Sequence, residues 1–325
     1  MINFVIINLG NIKYNIIFLL LSIANIQFCF GNINNKDKTY LVFGGSTGWI
    51  GGKIVKLLKD NCNKVYCAKS RLENREQIEK ELLDITPNYV INCAGATGRP
   101  NIDWCEDHTQ ETIRANIIGA LNLADLCFIH NIHMTNMGTG CIYEYDNTHK
   151  INSGNGFTEL DEPNFQGSFY SKTKIMLDKL LQNYPNVLNL RLRMPISDDL
   201  HDRSFITKIT KYKKVINIPN SMTILYDLLP IAIEMTTKEI KGNYNFVNPG
   251  VISHNEILSL YKEYIDSNFS WKNFSVEEQD KILQARRSNN ELNVDKLLKK
   301  FPDIPNIKTS IINVFKRMKF NLAKS

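Results

Sequence analysis

A glycine-rich turn set between a short apolar strand and an amphipathic helix constrains this chain more than any other feature. Tyr40 to Phe43 has the strand pattern, Gly44-Gly45-Ser46-Thr47-Gly48-Trp49-Ile50-Gly51 forms the turn, a helix follows over about Ile50 to Asp60, and a second strand over Lys64 to Ala68. This is a βαβ unit. Glycines at Gly45, Gly48 and Gly51 allow a tight turn and the close approach of a phosphate, because a Cβ would block both. Backbone N–H groups and the positive helix end then face a pyrophosphate. The same stretch fails as an ATP-hydrolysing phosphate loop. Around Gly52-Lys53, Thr47 stands where the first glycine belongs and Ile54 where Ser or Thr is required.

Strand and helix patterns go on alternating: a helix around Arg75 to Asp84, a strand at Tyr89 to Asn92, a helix near Thr109 to Asn131 and a strand at His133 to Met137. That order predicts an α/β fold with a Rossmann-type doubly wound parallel sheet. After about Pro195 the alternation weakens and aromatics become more frequent, which predicts a smaller C-terminal substrate-binding lobe. The expected division is an apolar extension over 1–38, an NAD(P)-binding domain over 39–195 and a substrate-binding lobe over 196–325, with the chain free to cross back between the last two.

With 325 residues, 43% hydrophobic and 22% charged, the chain is large enough to bury a sizeable core. Its net charge of +6 is spread out, without the basic blocks that nucleic-acid binding needs, and leaves only a mild bias towards anionic ligands. Seven cysteines, odd in number and without paired C-x-x-C spacing, predict reduced thiols and no metal site. A cytoplasmic setting follows. One stretch conflicts with it: Ile16 to Ala24 is an apolar run after Lys13, similar to a signal-peptide core or short anchor, though Asn15, Asn25 and Gln27 interrupt any full span. An unstructured extension and a membrane-associated segment both stand at this point.

At the end of the second strand, where an NAD enzyme usually places an acidic residue for the ribose hydroxyls, the chain has Lys69-Ser70-Arg71. Ser70 and Arg71 suit a 2′-phosphate, so NADPH is the expected cofactor and NADH the alternative; an exposed Arg71 with no specific role is the plainer reading. Further on, Tyr170-Ser171-Lys172-Thr173-Lys174 puts Tyr170 and Lys174 on one helix face. An ammonium beside a phenol brings it closer to acid/base work at neutral pH. Thr139, just after the fourth strand, is placed to hydrogen-bond a substrate carbonyl beside Tyr170.

The glycine spacing resembles the short-chain dehydrogenase version of the dinucleotide turn, and the resemblance then sharpens. Asn92-Cys93-Ala94-Gly95-Ala96-Thr97-Gly98-Arg99-Pro100-Asn101-Ile102-Asp103-Trp104-Cys105-Glu106, Thr139-Gly140-Cys141-Ile142-Tyr143-Glu144, Gly167 to Lys174, Arg191 to Ser197, Pro219 to Leu225, Asn248-Pro249-Gly250 and Arg287 to Leu292 are similar to the plant bifunctional nucleotide-rhamnose synthase/epimerase-reductases. More distantly they resemble bacterial dTDP-4-dehydrorhamnose reductases, within the extended short-chain dehydrogenase/reductase superfamily. The resemblance runs from Tyr40 to about Phe315.

It implies UDP-4-keto-6-deoxy-D-glucose as substrate, UDP-L-rhamnose as product, and a separate UDP-glucose 4,6-dehydratase upstream. It also implies Tyr170, Lys174, Thr139 and Asn116 as catalytic residues, with Cys141 and Lys208 as the epimerase acid/base pair. The cofactor would lie against Gly45, Thr47, Gly48, Trp49, Ile50, Gly51, Ser70, Arg71, Ala94, Gly95, Tyr170 and Lys174. Thr97, Arg99, Asn220 and Arg287 would hold the substrate. A homodimer is the expectation by fold analogy. Two other readings stand beside it. One is a plain 4-keto reductase served by a separate epimerase. The other is a non-catalytic NADP-binding subunit of the kind that regulates methionine adenosyltransferase, against which the intact Tyr170/Lys174 pair argues.

Overall fold

The structure, a computed structural model, describes residues 38–61 and 63–323. The Ile16 to Ala24 run lies outside the described residues. Six parallel strands form the central sheet, in the order β2-β1-β3-β4-β5-β7. They are β1 (Thr39–Phe43), β2 (Lys64–Cys67), β3 (Tyr89–Asn92), β4 (His133–Thr139), β5 (Val187–Leu192) and β7 (Gly242–Asn245). The order in which strands are added reverses between β1 and β3, the switch point at whose carboxyl ends ligands of open α/β sheets bind.

Alternation within each strand sends side chains to two apolar layers. Tyr40, Val42, Tyr89, Ile91, Leu188 and Leu190 meet α1 (Trp49–Asp60) on one face, together with a later helix over Leu225–Thr237. Leu41, Phe43, Val90 and Met134 meet the other face, covered by α2 (Arg75–Ile85) and by the helix containing Leu123 and Leu126. Burial on both sides is why these strands read as near-continuous apolar runs.

Two details differ from the sequence reading. The helix near Thr109 to Asn131 ends at Ile129, and its course is interrupted by a π-helical stretch over Arg114–Ile118 that holds Asn116. It follows the one-turn α3 (Trp104–Asp107) as α4 (Thr109–Ile113) and α5 (Gly119–Ile129). Thr109–Ile129 is the one helix among the described residues long and apolar enough to cross a membrane, yet Leu123, Ala124 and Leu126 pack it into the core. Second, β4 runs two residues further than expected, so Thr139 ends the strand, opposite Leu192, instead of following it.

Beyond Pro195 the chain crosses back to the sheet. After α6 (Phe169–Leu181), β5, α7 (Phe205–Ile209) and β6 (Lys214–Val215), the helix α8 (Leu225–Thr237) and strand β7 return to the sheet. The rest comprises α9 (His254–Tyr264), β8 (Lys272–Asn273), α10 (Val276–Ile282), α11 (Asp295–Leu298) and α12 (Ile307–Leu322). A separate apolar cluster of Ile206, Ile209, Ile257, Ile311 and Phe315 holds α7, α9 and α12 together.

Two histidines make the fold acid-sensitive. Burial pushes His133 and His254 down to about 4, helped by Lys241 and Arg193 respectively. Both ring nitrogens of His133 lack a partner among the described residues. An unfolded histidine takes up its proton near pH ~6.5 while these two refuse it, so stability is full above that pH and falls as pH drops towards about 4. Between pH 7 and 5 we expect a loss of about 2 kcal/mol per histidine in chemical denaturation. His133→Phe should remove about half of that pH dependence; an unchanged slope would show that the histidine is not its source.

Candidate active site

The turn after β1 is built as a phosphate cradle. Gly44 has φ +72°, and a Cβ on Gly48 or Gly51 would lie 2.4 or 2.2 Å from the Gly44 carbonyl oxygen. Gly48 precedes α1 without a side-chain cap, and no acidic residue stands in the first turn of that helix. Its first N–H groups and positive end therefore remain for an anion. Gly45, Thr47, Ile50 and Gly51 lie on this turn. A dinucleotide pyrophosphate fits these residues.

Trp49 does more than line the turn. Its Nε1 donates to Asp199 Oδ2 at 3.0 Å, Lys53 Nζ reaches the same oxygen at 2.6 Å, and His201 stacks on the indole at 5.2 Å. Burial alone would raise the Asp199 carboxyl, but the bonds from Lys53 and Trp49 outweigh it and hold the group below the usual carboxylate range. The loop leading to α7 is thereby pinned to the cofactor turn.

At the carboxyl ends of β3 and β4 the predicted catalytic residues come together. Ser168 caps α6 by accepting from Ser171 N, and the carboxylate of Glu106 accepts Phe169 N at 2.7 Å. These contacts fix the first turn of the helix that carries Tyr170. Thr139 hydrogen-bonds the Tyr170 hydroxyl. The backbone N–H of Cys141 donates to Thr139 Oγ1 at 3.1 Å, and the Cys141 carbonyl accepts Ser171 Oγ at 2.7 Å. Cys141 is thus riveted to the helix turn bearing Tyr170. Lys174 Nζ lies 5.9 Å from the Tyr170 ring centre.

Asn116 closes the back of the site. Its side chain bonds both the N–H and the carbonyl of Ala96 at 2.9 Å. A Cβ on Gly95 would stand 3.0 Å from Asn116 Oδ1 and 3.3 Å from Lys174 Nζ, so both groups crowd the Ala94–Ala96 backbone. A larger residue there would have to push these side chains aside by a few tenths of an ångström. A π-helical insertion is a common way to re-aim a side chain at a functional site, and here it carries Asn116.

Electrostatics sort the two candidate catalytic groups. Burial, then the nearby Cys141 thiol, push the Tyr170 phenol well above its ordinary range, against the bond from Thr139. Burial brings Lys174 down to about 8. A phenol held protonated is a proton donor, and an ammonium poised near neutrality responds to whatever binds beside it.

A second group of charges lies on the substrate side. Arg203 Nη1 donates to Thr97 Oγ1 at 3.1 Å, and Arg287 pairs with Asp103 at 2.8 Å. Burial, then Arg203 and Arg287, push Lys208 on α7 below the usual lysine range. Lys208, Arg203 and Arg287 form one cationic group suited to a diphosphate. Arg99 is exposed. Asn220 is fully buried, with Oδ1 accepting from Arg193 at 2.5 Å and from Asn290 N at 3.0 Å, so it organises the lobe from within. Ser70 donates its hydroxyl to Glu81 at 2.5 Å, and Arg71 beside it is exposed.

Several residues that shape the site escaped the sequence reading. Glu106 acts on a helix 63 positions away, and Arg193 is buried in the bonds that tie Gly140 to Ser288. The local pattern around Glu106 carries no mark of that distant cap. Arg193 stood in a quoted motif, and a charged residue flanked by Leu192 and Met194 was the available signal for a buried role.

Residues 40–213 match the NAD dependent epimerase/dehydratase family. A bifunctional dTDP-4-dehydrorhamnose 3,5-epimerase/dTDP-4-dehydrorhamnose reductase of Arabidopsis thaliana is 54% identical over 280 residues, 86% of this chain and 93% of that protein. A trifunctional UDP-glucose 4,6-dehydratase/UDP-4-keto-6-deoxy-D-glucose 3,5-epimerase/UDP-4-keto-L-rhamnose-reductase of the same plant is 54% identical over 87% of this chain, which spans 42% of that longer protein. Among solved structures, the UDP-rhamnose synthase of Acanthamoeba polyphaga mimivirus superposes with a TM-score of 0.83 at 43% identity, covering 86% of this chain and 99% of that one.

Proposed function

The chain belongs to the NAD dependent epimerase/dehydratase family, and from that premise we propose that it makes UDP-L-rhamnose by 3,5-epimerisation of UDP-4-keto-6-deoxy-D-glucose and NADPH-dependent reduction at C4. The observation that carries this reading is the 54% identity to a bifunctional epimerase/reductase along 93% of its length, which takes in both Tyr170/Lys174 and Cys141. Relatives whose names specify UDP sugars favour UDP over dTDP.

The chemistry follows from the residues. A C4 ketone acidifies the protons on C3 and C5, and Tyr170 and Thr139 hydrogen-bond the oxygen on which the enolate charge develops. Cys141 and Lys208 are the proposed pair that removes each proton and returns one to the opposite face. When bound against the glycine turn, NADPH supplies the hydride for C4. Tyr170 then gives its phenolic proton to O4, and Lys174 stabilises the phenolate left behind. The keto sugar comes from a 4,6-dehydratase, an activity that the trifunctional relatives carry in the same protein. A cytoplasmic homodimer completes the proposal.

In D₂O with UDP-4-keto-6-deoxyglucose and NADPH, the expected product is UDP-rhamnose deuterated at C3 and C5, read by NMR alongside NADPH absorbance. Cys141→Ala should lower deuterium entry by about 100-fold or more, with a much smaller effect on reduction of the already epimerised sugar. Oxidation of NADPH without deuterium would leave a plain reductase. Binding of NADPH with no turnover would leave a binding subunit.

A further inference from the structure

Resting on that cofactor assignment, we propose that Glu81 is a specificity-determining residue for the adenosine end of the dinucleotide. Its carboxylate occupies the anion-binding donors at the end of β2 and so weakens the preference for a 2′-phosphate over a free ribose hydroxyl. Three donors converge on it. Lys69 N reaches Glu81 Oε1 at 2.8 Å, while Ser70 N and Ser70 Oγ reach Oε2 at 3.1 and 2.5 Å. Successive backbone N–H groups aimed at one point make an anion-binding concavity. In this chain a residue of its own α2 fills it.

Ser70, the hydroxyl that the sequence offered to a phosphate, is therefore committed to a carboxylate. A 2′-phosphate brought to the end of β2 has either to displace Glu81 or to sit beyond it against a like charge. At a few ångströms in a half-covered site that repulsion is worth about tenfold or more in affinity. A ribose hydroxyl meets no such opposition, since it can donate to the carboxylate. What remains for a phosphate lies further out. Arg71, Asn74, Arg75 and Arg114 line an open groove there together with the acidic Glu73 and Glu76, and Arg71 has no ion-pair partner among the described residues, whereas Arg75 is held by Asp125 at 2.5 Å. Arginine on one side and Glu81 on the other oppose each other, and the chain accepts both dinucleotides.

Calorimetric titration of the full chain with NADP⁺ and with NAD⁺ tests this without turnover. For the wild type we expect the two Kd values to lie within about tenfold of each other, and a wider preference for NADP⁺ would overturn the proposal. In Glu81→Gln the preference for NADP⁺ should rise by about fivefold or more, because the charge is gone and an amide donor replaces it. A smaller change, or a shift towards NAD⁺, would overturn it. The wild-type measurement stands even where the variant fails to fold. Failure of the wild type to bind either dinucleotide would overturn the cofactor assignment and this proposal together, whereas tight binding without sugar turnover would count against the proposed reaction alone.

Discussion

Tyr170→Phe is expected to lower the rate of C4 reduction by about three orders of magnitude while NADP⁺ still binds. The substitution keeps the buried ring, only 8% exposed, and removes one atom. That atom is the proposed proton donor to O4 and the partner of Thr139. Nothing else in the site replaces it. Lys174 is the cation there, but burial brings it down to about 8, and its proposed task is to stabilise the phenolate. The wild-type rate should accordingly decline as pH rises through about 8, where Lys174 loses its charge and the phenolate its counter-ion. In Tyr170→Phe the residual rate should lose that decline. Single-turnover NADPH oxidation between pH 6 and 10 measures both. A loss of less than about tenfold, or an unchanged pH profile in the variant, would remove Tyr170 from the role of acid.

The parts of this site legible in the sequence are those whose chemistry is local. The glycine turn announces itself because Gly48 and Gly51 are required by contacts with Gly44, a few residues away. Tyr170 and Lys174 announce themselves because one helical turn brings them to the same face. Thr139 was legible from its place at the end of the fourth strand and Cys141 through resemblance, and the hydrogen bonds to Ser171 and Thr139 supply the physical reason for their place.

Long-range partners were not legible. Ser70 reads as a phosphate donor until Glu81, eleven residues on and one helix away, takes its hydroxyl. Asn220 reads as a substrate ligand until Arg193 and Asn290 use up its carbonyl. In each case the side chain has the right chemistry for the role first assigned to it, and the fold spends that chemistry on a distant neighbour. The π-helical stretch at Asn116 is hidden for another reason. Its composition is ordinary helix, and only the extra residue per turn turns Asn116 towards Ala96.

A second large effect is expected at the far end of the catalytic helix. Tyr170, Lys174 and Asp178 follow one another at intervals of four along α6. The Asp178 carboxylate accepts from Arg191 Nε at 3.0 Å and Nη2 at 2.6 Å, from Asn189 at 2.7 Å and from Asn243 at 3.1 Å. Arg191 and Asp178 are 1% and 5% exposed. The bonds continue across the sheet: Asn136 donates to Asn189 at 2.8 Å, Asn92 donates to Asn136 at 2.9 Å, and Asn92 accepts Ala94 N at 3.0 Å. The helix that carries the proposed acid is therefore tied through three strands to the backbone at Ala94.

Arg191→Met removes the guanidinium and strands the Asp178 charge in the interior, which should cost about 3–5 kcal/mol in chemical denaturation near neutral pH. Removing both partners as Arg191→Met with Asp178→Leu should recover most of that loss, since a buried ion pair contributes little beyond an apolar pair of similar size. If the double variant is as unstable as the single one, the stranded charge is not the cause, and the loss of the contact with Tyr143, whose hydroxyl accepts from Arg191 Nη1 at 2.9 Å, becomes the better account. The double variant also separates stability from positioning. It breaks the asparagine chain at Asp178, so a variant that regains stability but not the reduction rate would show that this chain sets the height of Tyr170 and Lys174 over the cofactor.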